Sequence, residues 1–464
     1  MKNTATVSPA ELAKPIDAVF ALAARKVRLI EKTWDTARGT PVFTVAGEYT
    51  TRGWTEWTEG FVYGDAILAY EHTGEKDLLE IGRRKTLQRM ASHVTHTGVH
   101  DHGFNNLSTY GNLRRLMREG TIPENEWEKH FYELAIKSSG AVQAYRWSGT
   151  APVKDGKHTA SAPALGYVYS FNGPHSLFVD TMRTIRIMGV AWQLGHKLMH
   201  EGDRAADLLK RSVLHGLTTS QYVVFHGDSS HTYDVRGRTC HEAVFNRNDG
   251  AFRCRSTQQG YSPFSTWTRG LAWAMLGYAE ELEFFASIDD ATFEKSVGLK
   301  KADVVAVYER CAKDTCDHYL NEASCADGIT YWDDGAPGLA KLPSWQDKPA
   351  DLGQDFEPVD AERERHRRAG PHPPGPVPRQ RGRLLPQRGP GDHQGAHQRA
   401  VPVDRRKAPG PLAAQRLPLA ERLGLRARRP KGAVRRKQHV GRLPLVGTVC
   451  LGREDQCREV FDVL

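Results

Sequence analysis

Apolar residues recur at helical spacing through most of the first 320 residues. That period predicts helices over 8–33, 59–73, 76–95, 106–119, 123–146, 178–197, 201–224, 266–285 and 297–321. Ser8 stands where a helix N-cap is wanted. Between 226 and 258 the pattern turns to alternation with turn residues ("DSSHTYDVRGRTCHEAVFNRNDGAFRCRS"), which predicts a small hairpin excursion. "DGITYWDDGAPG" at 327–338 predicts a loop rich in aromatic and acidic side chains.

The predicted helices are of two alternating kinds. One kind follows a long loop carrying aromatics, glycine and acid ("WTEGF", "HDHGF", "SLFVD", "STWTRG"). The other follows a short polar connection ("HTGEKD", "REGTIPENE", "HEGDRAAD"). A ring of helical hairpins produces this rhythm, with inner helices sharing one open end where the long loops build a single site. A helical repeat solenoid is the alternative, but no strict period is visible.

Composition changes this picture at one place. Residues 361–464 contain 21 Arg and 3 Lys against 9 Asp plus Glu, with 13 Pro, one Phe and no Trp, Tyr, Ile or Met. The formal charge of +9 therefore comes from this stretch, and residues 1–360 are mildly acidic, which argues against a nucleic-acid binder. Such a segment has too little apolar area to offset the entropy of ordering. It is either a basic tail able to bind polyanions or a stretch read out of frame. The second is preferred because the helical domain before it is unfinished. The expected division is 1–360 as the helical domain and 361–464 as an aberrant or disordered tail. Seven cysteines without a paired CxxC pattern suggest free thiols in a reducing compartment. No signal peptide or membrane span is apparent, and a cytoplasmic location is expected.

Several residues carry candidate chemistry. Asp180 follows Leu177, Phe178 and Val179, where desolvation would raise its pKa and keep it protonated as a general acid. Taken alone, a helix N-cap explains it as well. Asp101, in "GVHDHGFNN", lies before another helix and is equally a loop acid or cap. The His-Asp-His run suggests metal binding, but no second cluster with ligand spacing supports it, and no metal is expected. His241 and Gln259 bracket the hairpin and could each be an ordinary polar residue. Arg269 and Trp273, one turn apart, could form a carboxylate clamp beside a sugar-stacking ring, or a core tryptophan with arginine lying over it.

In order along the chain, "WTEGF" (57–61), "HDHGF" (100–104), "VD" (179–180), "QGY" (259–261), "WTRGLAW" (267–273) and "DGITYWDDGAP" (327–337) together resemble glycoside hydrolase family 88, the unsaturated glucuronyl hydrolases. The related unsaturated rhamnogalacturonyl hydrolases of family 105 are more distantly similar. The resemblance covers about residues 20–360. It implies an all-α (α/α)6 barrel, a six-hairpin toroid, here incomplete. It also implies release of an unsaturated (4-deoxy-4,5-ene) glucuronic acid from the non-reducing end of lyase-generated oligosaccharides.

In that family the reaction is hydration of a vinyl ether, not displacement at the anomeric carbon. By the resemblance, Asp180 is the acid/base that protonates C4 and assists water at C5, and Asp101 binds ring hydroxyls and orients the reacting end. His241, Gln259, Arg269, Trp273 and the wall aromatic Trp57 contact substrate. No metal or organic cofactor is implied, and the expected partner is a small unsaturated uronyl oligosaccharide, with no nucleic acid and no membrane. Departures are Val62 in place of a wall aromatic, "YSPFSTW" before the arginine, and "EPVD" (357–360) running into the Arg/Pro-rich stretch. These leave open an unsaturated rhamnogalacturonyl hydrolase, an inactive sugar-binding remnant or a polyanion binder acting through the tail. The chain as written is expected to be unstable or poorly active.

Overall fold

The structure, a computed structural model, describes residues 8–45, 48–51, 56–154, 157–158 and 165–350, all within one compact unit. The helices are α1 (Pro9–Thr33), α2 (Glu59–Thr73), α3 (Lys76–Arg89), α4 (Ala91–Val94), α5 (His102–Asn106), α6 (Asn112–Arg118) and α7 (Glu126–Tyr145). They continue as α8 (Thr181–Thr184), α9 (Arg186–Gln193), α10 (Leu208–Tyr222), α11 (Thr268–Ala286), α12 (Asp290–Val297) and α13 (Lys301–His318). Ser8 does cap α1: its hydroxyl accepts the Glu11 amide, and the Glu11 carboxylate accepts the Ser8 amide at 2.7 Å.

The differences from the predicted boundaries have local causes. The helix predicted over 297–321 is α13 and starts only at Lys301, because Gly298, at φ +81°, ends a separate helix, α12, that the periodicity did not predict. The helix predicted over 201–224 starts only at Leu208, where the Asp207 carboxylate accepts the Lys210 amide at 2.9 Å. The helix predicted at 106–119 begins four residues early and carries a π-turn at Leu107–Gly111 between α5 and α6. The segment predicted as helix from 178 opens instead with a strand.

Four helical elements touch in succession: α2, α5–α6, α8–α9 and α11. The Gly60 amide at the start of α2 donates to Asn105 Oδ1 at 2.9 Å. A Cβ at Gly103 would lie 2.1 Å from the Thr184 carbonyl oxygen, so only glycine lets α5 approach α8 this closely. Helices α1, α3, α7, α10 and α13 back this row, α7 and α10 against α9 and α13 against α11. The core between the two sets holds the fully buried Tyr110, Tyr132, Tyr278, Tyr308 and Phe285. At about 1.5–3 kcal/mol for each large apolar side chain removed from water, this is the main stabilising term. The architecture is all-α, with the alternating hairpin order of the expected (α/α)6 fold. The expectations of an incomplete ring and of an aberrant tail from 361 fall on residues 351–464, outside the described residues.

One sheet matters for the site. Strands β1 (Ser176–Phe178), β2 (Glu242–Phe245) and β3 (Phe252–Ser256) lie in the antiparallel order β3–β2–β1, with Leu177 opposite Ala243 and Val244 opposite Cys254. Thus the predicted hairpin excursion exists, and it gains a third strand from the segment just before Asp180. Cys240 and Cys311 are buried thiols outside any disulfide, and Cys254 is an exposed one. Among the described residues no helix is long and apolar enough to cross a membrane.

Candidate functional site

The sheet and three helix starts deliver the expected residues to one place. Asp180 follows β1, His241 precedes β2 and Gln259 follows β3. Asp101 precedes α5, while Arg269 and Trp273 lie in the first two turns of α11. Trp57, Asp101, Asp180, Gln259, Arg269 and Trp273 all line a single cavity, together with His100, Phe104, Phe171 and Trp267. His241 stands behind the wall: it is buried, with its ring against Phe178 and Trp267 at centroid distances of 4.3 and 4.7 Å. A second groove, between α1, α2 and α3, holds none of the expected site residues.

Asp101 and Asp180 both occupy the residue before a helix, yet neither side chain makes a cap hydrogen bond. Both carboxyls turn instead to His100. Its Nε2 lies 3.3 Å from Asp180 Oδ2 and 3.9 Å from Asp101 Oδ1. His100 is held from behind, because its carbonyl accepts hydrogen bonds from Gln143 Nε2 (2.9 Å) and Thr184 Oγ1 (2.7 Å). Buried Arg146 donates to the Thr97, Tyr169 and Ser170 carbonyls, tying the loop before His100 to the loop before Phe171. Among the described residues, His100 Nδ1 and Asp180 Oδ1 are buried without a hydrogen-bond partner.

The electrostatics differ from the sequence expectation. Burial does push the Asp180 carboxyl up, but the hydrogen bond and charge of His100 outweigh it and hold Asp180 below the usual aspartate range. Asp101 is the member that ends above that range. Burial raises it and the Asp180 charge adds to the effect, against the pull of His100. Burial lowers His100, but the two facing carboxylates reverse this and leave its proton affinity raised. In the free protein the proton therefore rests more firmly on Asp101 and His100 than on Asp180. The apolar run before Asp180 indicated burial correctly but could not reveal the imidazole opposite it.

His241 is locked in one tautomer. Its Nδ1 accepts the amides of Gln258 (2.8 Å) and Gln259 (3.2 Å), so the proton of the neutral ring lies on Nε2. Burial lowers its pKa to about 4, which keeps the ring neutral near pH 7.

Opposite the acids, the Arg269 guanidinium lies 4.7 Å from the Trp267 ring centroid and 5.6 Å from that of Trp57, and it donates to Gln259 Oε1. Trp273 packs on Phe104 (4.8 Å) and is stacked with Phe61 (6.2 Å), and Trp57 closes the wall against Phe104 (5.8 Å). The arginine lies over Trp267 rather than over Trp273, which belongs to the cavity wall.

His100, Phe104, Phe171 and Trp267 were not singled out from sequence. His100 and His102 flank Asp101 symmetrically. Only the fold separates them, because His102 turns away to Ser139 Oγ (2.7 Å) and the His96 carbonyl (3.1 Å). His100, Asp101 and Asp180 also form the group among the described residues that could hold a metal ion, with ligand atoms within 4.8 Å of one another.

Comparisons with known proteins point the same way as the motifs. No protein-family model matches the chain. The unsaturated glucuronyl hydrolase of Bacillus sp. (strain GL1) is 24% identical over 297 residues, 63% of this chain and 64% of that protein. That of Formosa agariphila is 22% identical over 290 residues, 62% of this chain and 59% of that protein. The chain thus spans less than two thirds of the length of these curated relatives. Among solved structures, an unsaturated glucuronyl hydrolase from Bacillus sp. GL1 is similar at 21% identity and a TM-score of 0.47, over 71% of this chain and 72% of that one. One described as specific for heparin is similar at 18% identity and a TM-score of 0.49, over 71% and 73%. In sequence, this chain is similar to unsaturated glucuronyl hydrolases, the family its motifs resemble.

Proposed function

We propose that the chain is a glycoside hydrolase that removes an unsaturated glucuronic acid from the non-reducing end of lyase-generated oligosaccharides by hydrating its vinyl ether. The observation that carries this reading is the convergence of Asp180, Asp101 and Arg269 on one aromatic-walled cavity, with His100 bridging the two acids. Arg269, steadied by Gln259, is the cation that would hold the uronate carboxylate, and Trp273 offers a face to the sugar ring. Asp101 would bind ring hydroxyls and orient the reacting end.

A bound carboxylate places a further negative charge beside the acids and raises their proton affinity, which loads Asp180 when substrate is present. Asp180 then gives its proton to C4, and the positive charge develops at C5 and the ring oxygen. Water adds at C5 and its proton returns to Asp180. The hemiketal opens to a ketone at C5, leaving a hemiacetal at C1 that collapses and releases the neighbouring sugar. One water is consumed and the acid is regenerated.

The direct test is loss of enol-ether ultraviolet absorbance with unsaturated chondroitin, heparin and rhamnogalacturonan disaccharides. The reading expects a decrease with a uronyl disaccharide. No decrease with any of the three overturns it.

A further inference from the structure

The stretch "DGITYWDDGAP" carries two adjacent acids that have no part in the chemistry above. Asp333 is fully buried and Asp334 nearly so. A buried carboxylate is costly unless hydrogen bonds satisfy it, and two in sequence need a reason. Their partners supply one. Asp333 Oδ1 accepts the Gly335 amide within its own turn, and Oδ2 accepts the Tyr261 amide at 2.8 Å. Asp334 Oδ1 accepts the Thr266 amide at 2.7 Å, while its Oδ2 faces His318 Nε2 at 3.0 Å. The backbone adds Asp334 N–H to the Thr266 carbonyl (3.0 Å) and Thr268 N–H to the Trp332 carbonyl (3.1 Å).

These bonds converge on the loop between β3 and α11, which carries Gln259 and leads into Arg269. Four consecutive amides of that loop are captured by side chains. Gln258 and Gln259 donate to His241 Nδ1, Gly260 to Thr257 Oγ1 (2.9 Å) and Tyr261 to Asp333. The packing leaves little slack, since a Cβ on Gly260 would lie 2.7 Å from Thr257 Oγ1 and 3.1 Å from Asp333 Oδ2. With its backbone fixed in this way, Gln259 places Oε1 on the Arg269 guanidinium.

We propose that Asp333 and Asp334 are positioning residues, a carboxylate clamp that fixes the 258–268 loop so that Gln259 and Arg269 present a preformed edge for the substrate carboxylate. The identity of that ligand rests on the hydrolase reading above. The clamp itself rests on the bonds just described.

The test uses the full chain with Asp333→Asn and Asp333→Ala. Two readouts are taken: KM and kcat on an unsaturated uronyl disaccharide, and peptide-level amide hydrogen exchange. Loss of the Asp333 bond to the Tyr261 amide predicts a KM raised roughly 10- to 100-fold with kcat within about threefold. Exchange over 257–268 should quicken about tenfold or more while 272–286 in α11 stays unchanged. Asp333→Asn, which keeps one acceptor oxygen, should show the smaller change. KM and loop exchange within about twofold of the parent overturn the proposal. So does faster exchange throughout the helices, because the pair would then serve the fold as a whole. If the parent turns over no disaccharide, the hydrolase reading fails, and the exchange measurement still decides whether the clamp exists.

Discussion

Two buried histidine–carboxylate pairs sit at the starts of α2 and α8, and only one of them looks built for chemistry. At the start of α2, Glu59 Oε2 meets His93 Nε2 at 2.8 Å, while Oε1 accepts the Tyr63 hydroxyl at 2.8 Å and Arg89 Nε at 3.3 Å. Asn105 Nδ2 lies 3.0 Å from the remaining His93 nitrogen, so every polar atom of this pair has a partner. At the start of α8, Asp180 meets His100 at 3.3 Å, but Asp180 Oδ1 and His100 Nδ1 have none among the described residues. In both pairs burial pushes the acid up and the histidine hydrogen bond leads the forces that bring it below its ordinary range. Titration alone does not tell them apart. What separates them is an unsatisfied lone pair beside a cavity and a second carboxyl, Asp101, raised where Asp180 is lowered.

This contrast can be broken most sharply at Asp180. Asp180→Asn should lower kcat by about 10³-fold or more, since it removes the proton donor, while the melting temperature stays close to that of the parent. A kcat within tenfold of the parent would show that the orphaned oxygen has no chemical role. The converse substitution is Glu59→Gln, which leaves His93 and Arg89 without their buried anion. It should cost about 3 kcal/mol in denaturant unfolding and change kcat only a few-fold. A selective loss of turnover with full stability would make Glu59 part of the machinery.

Arg269→Ala comes next, with KM raised roughly 10- to 100-fold and a smaller change in kcat, measured by the absorbance assay. An unchanged KM would remove the guanidinium from substrate binding.

The smallest effect sharpens the role of the histidines. Glu281 on α11 is a buried carboxyl with no cation bonded to it among the described residues. Burial pushes its pKa up to about 8, with the Ser212 hydroxyl opposing and the Glu280 charge adding. The folded state therefore binds a proton that the unfolded chain has already released. Stability from this group is full below its ordinary pKa and is lost as pH rises toward 8. Glu281→Gln should flatten that slope, with the variant gaining on the parent in melting temperature between pH 5.5 and 8.5. Parallel curves would mean that Glu281 is ionised in the fold.

Much of this was legible in the chain. Long helices such as α1, α2 and α11 begin within two residues of their predicted starts, because apolar residues recur at helical spacing through each. Asp101, Asp180, Gln259 and Arg269 were accessible because acids and cations amid aromatics and glycine are unusual. Elements held by partners far along the chain were not. The strand before Asp180 depends on pairing with β2 more than sixty residues later, so three apolar residues there also fit the opening of a helix. The short helix α12 was missed although it carried its signals, Asp289 at the start and glycine at position 298 just past the end. His100 had none, since choosing between two histidines needs the direction in which α5 leaves Asp101.

The contact at Gly103 has one further consequence. Asp101 and Asp180 arrive on separate helices, yet their spacing does not depend on how two flexible side chains happen to settle. It is gauged by main chain resting on main chain, the least compressible ruler a protein possesses. A single added methyl at that point would push α5 off α8 and so disturb the spacing of the two acids without touching either one.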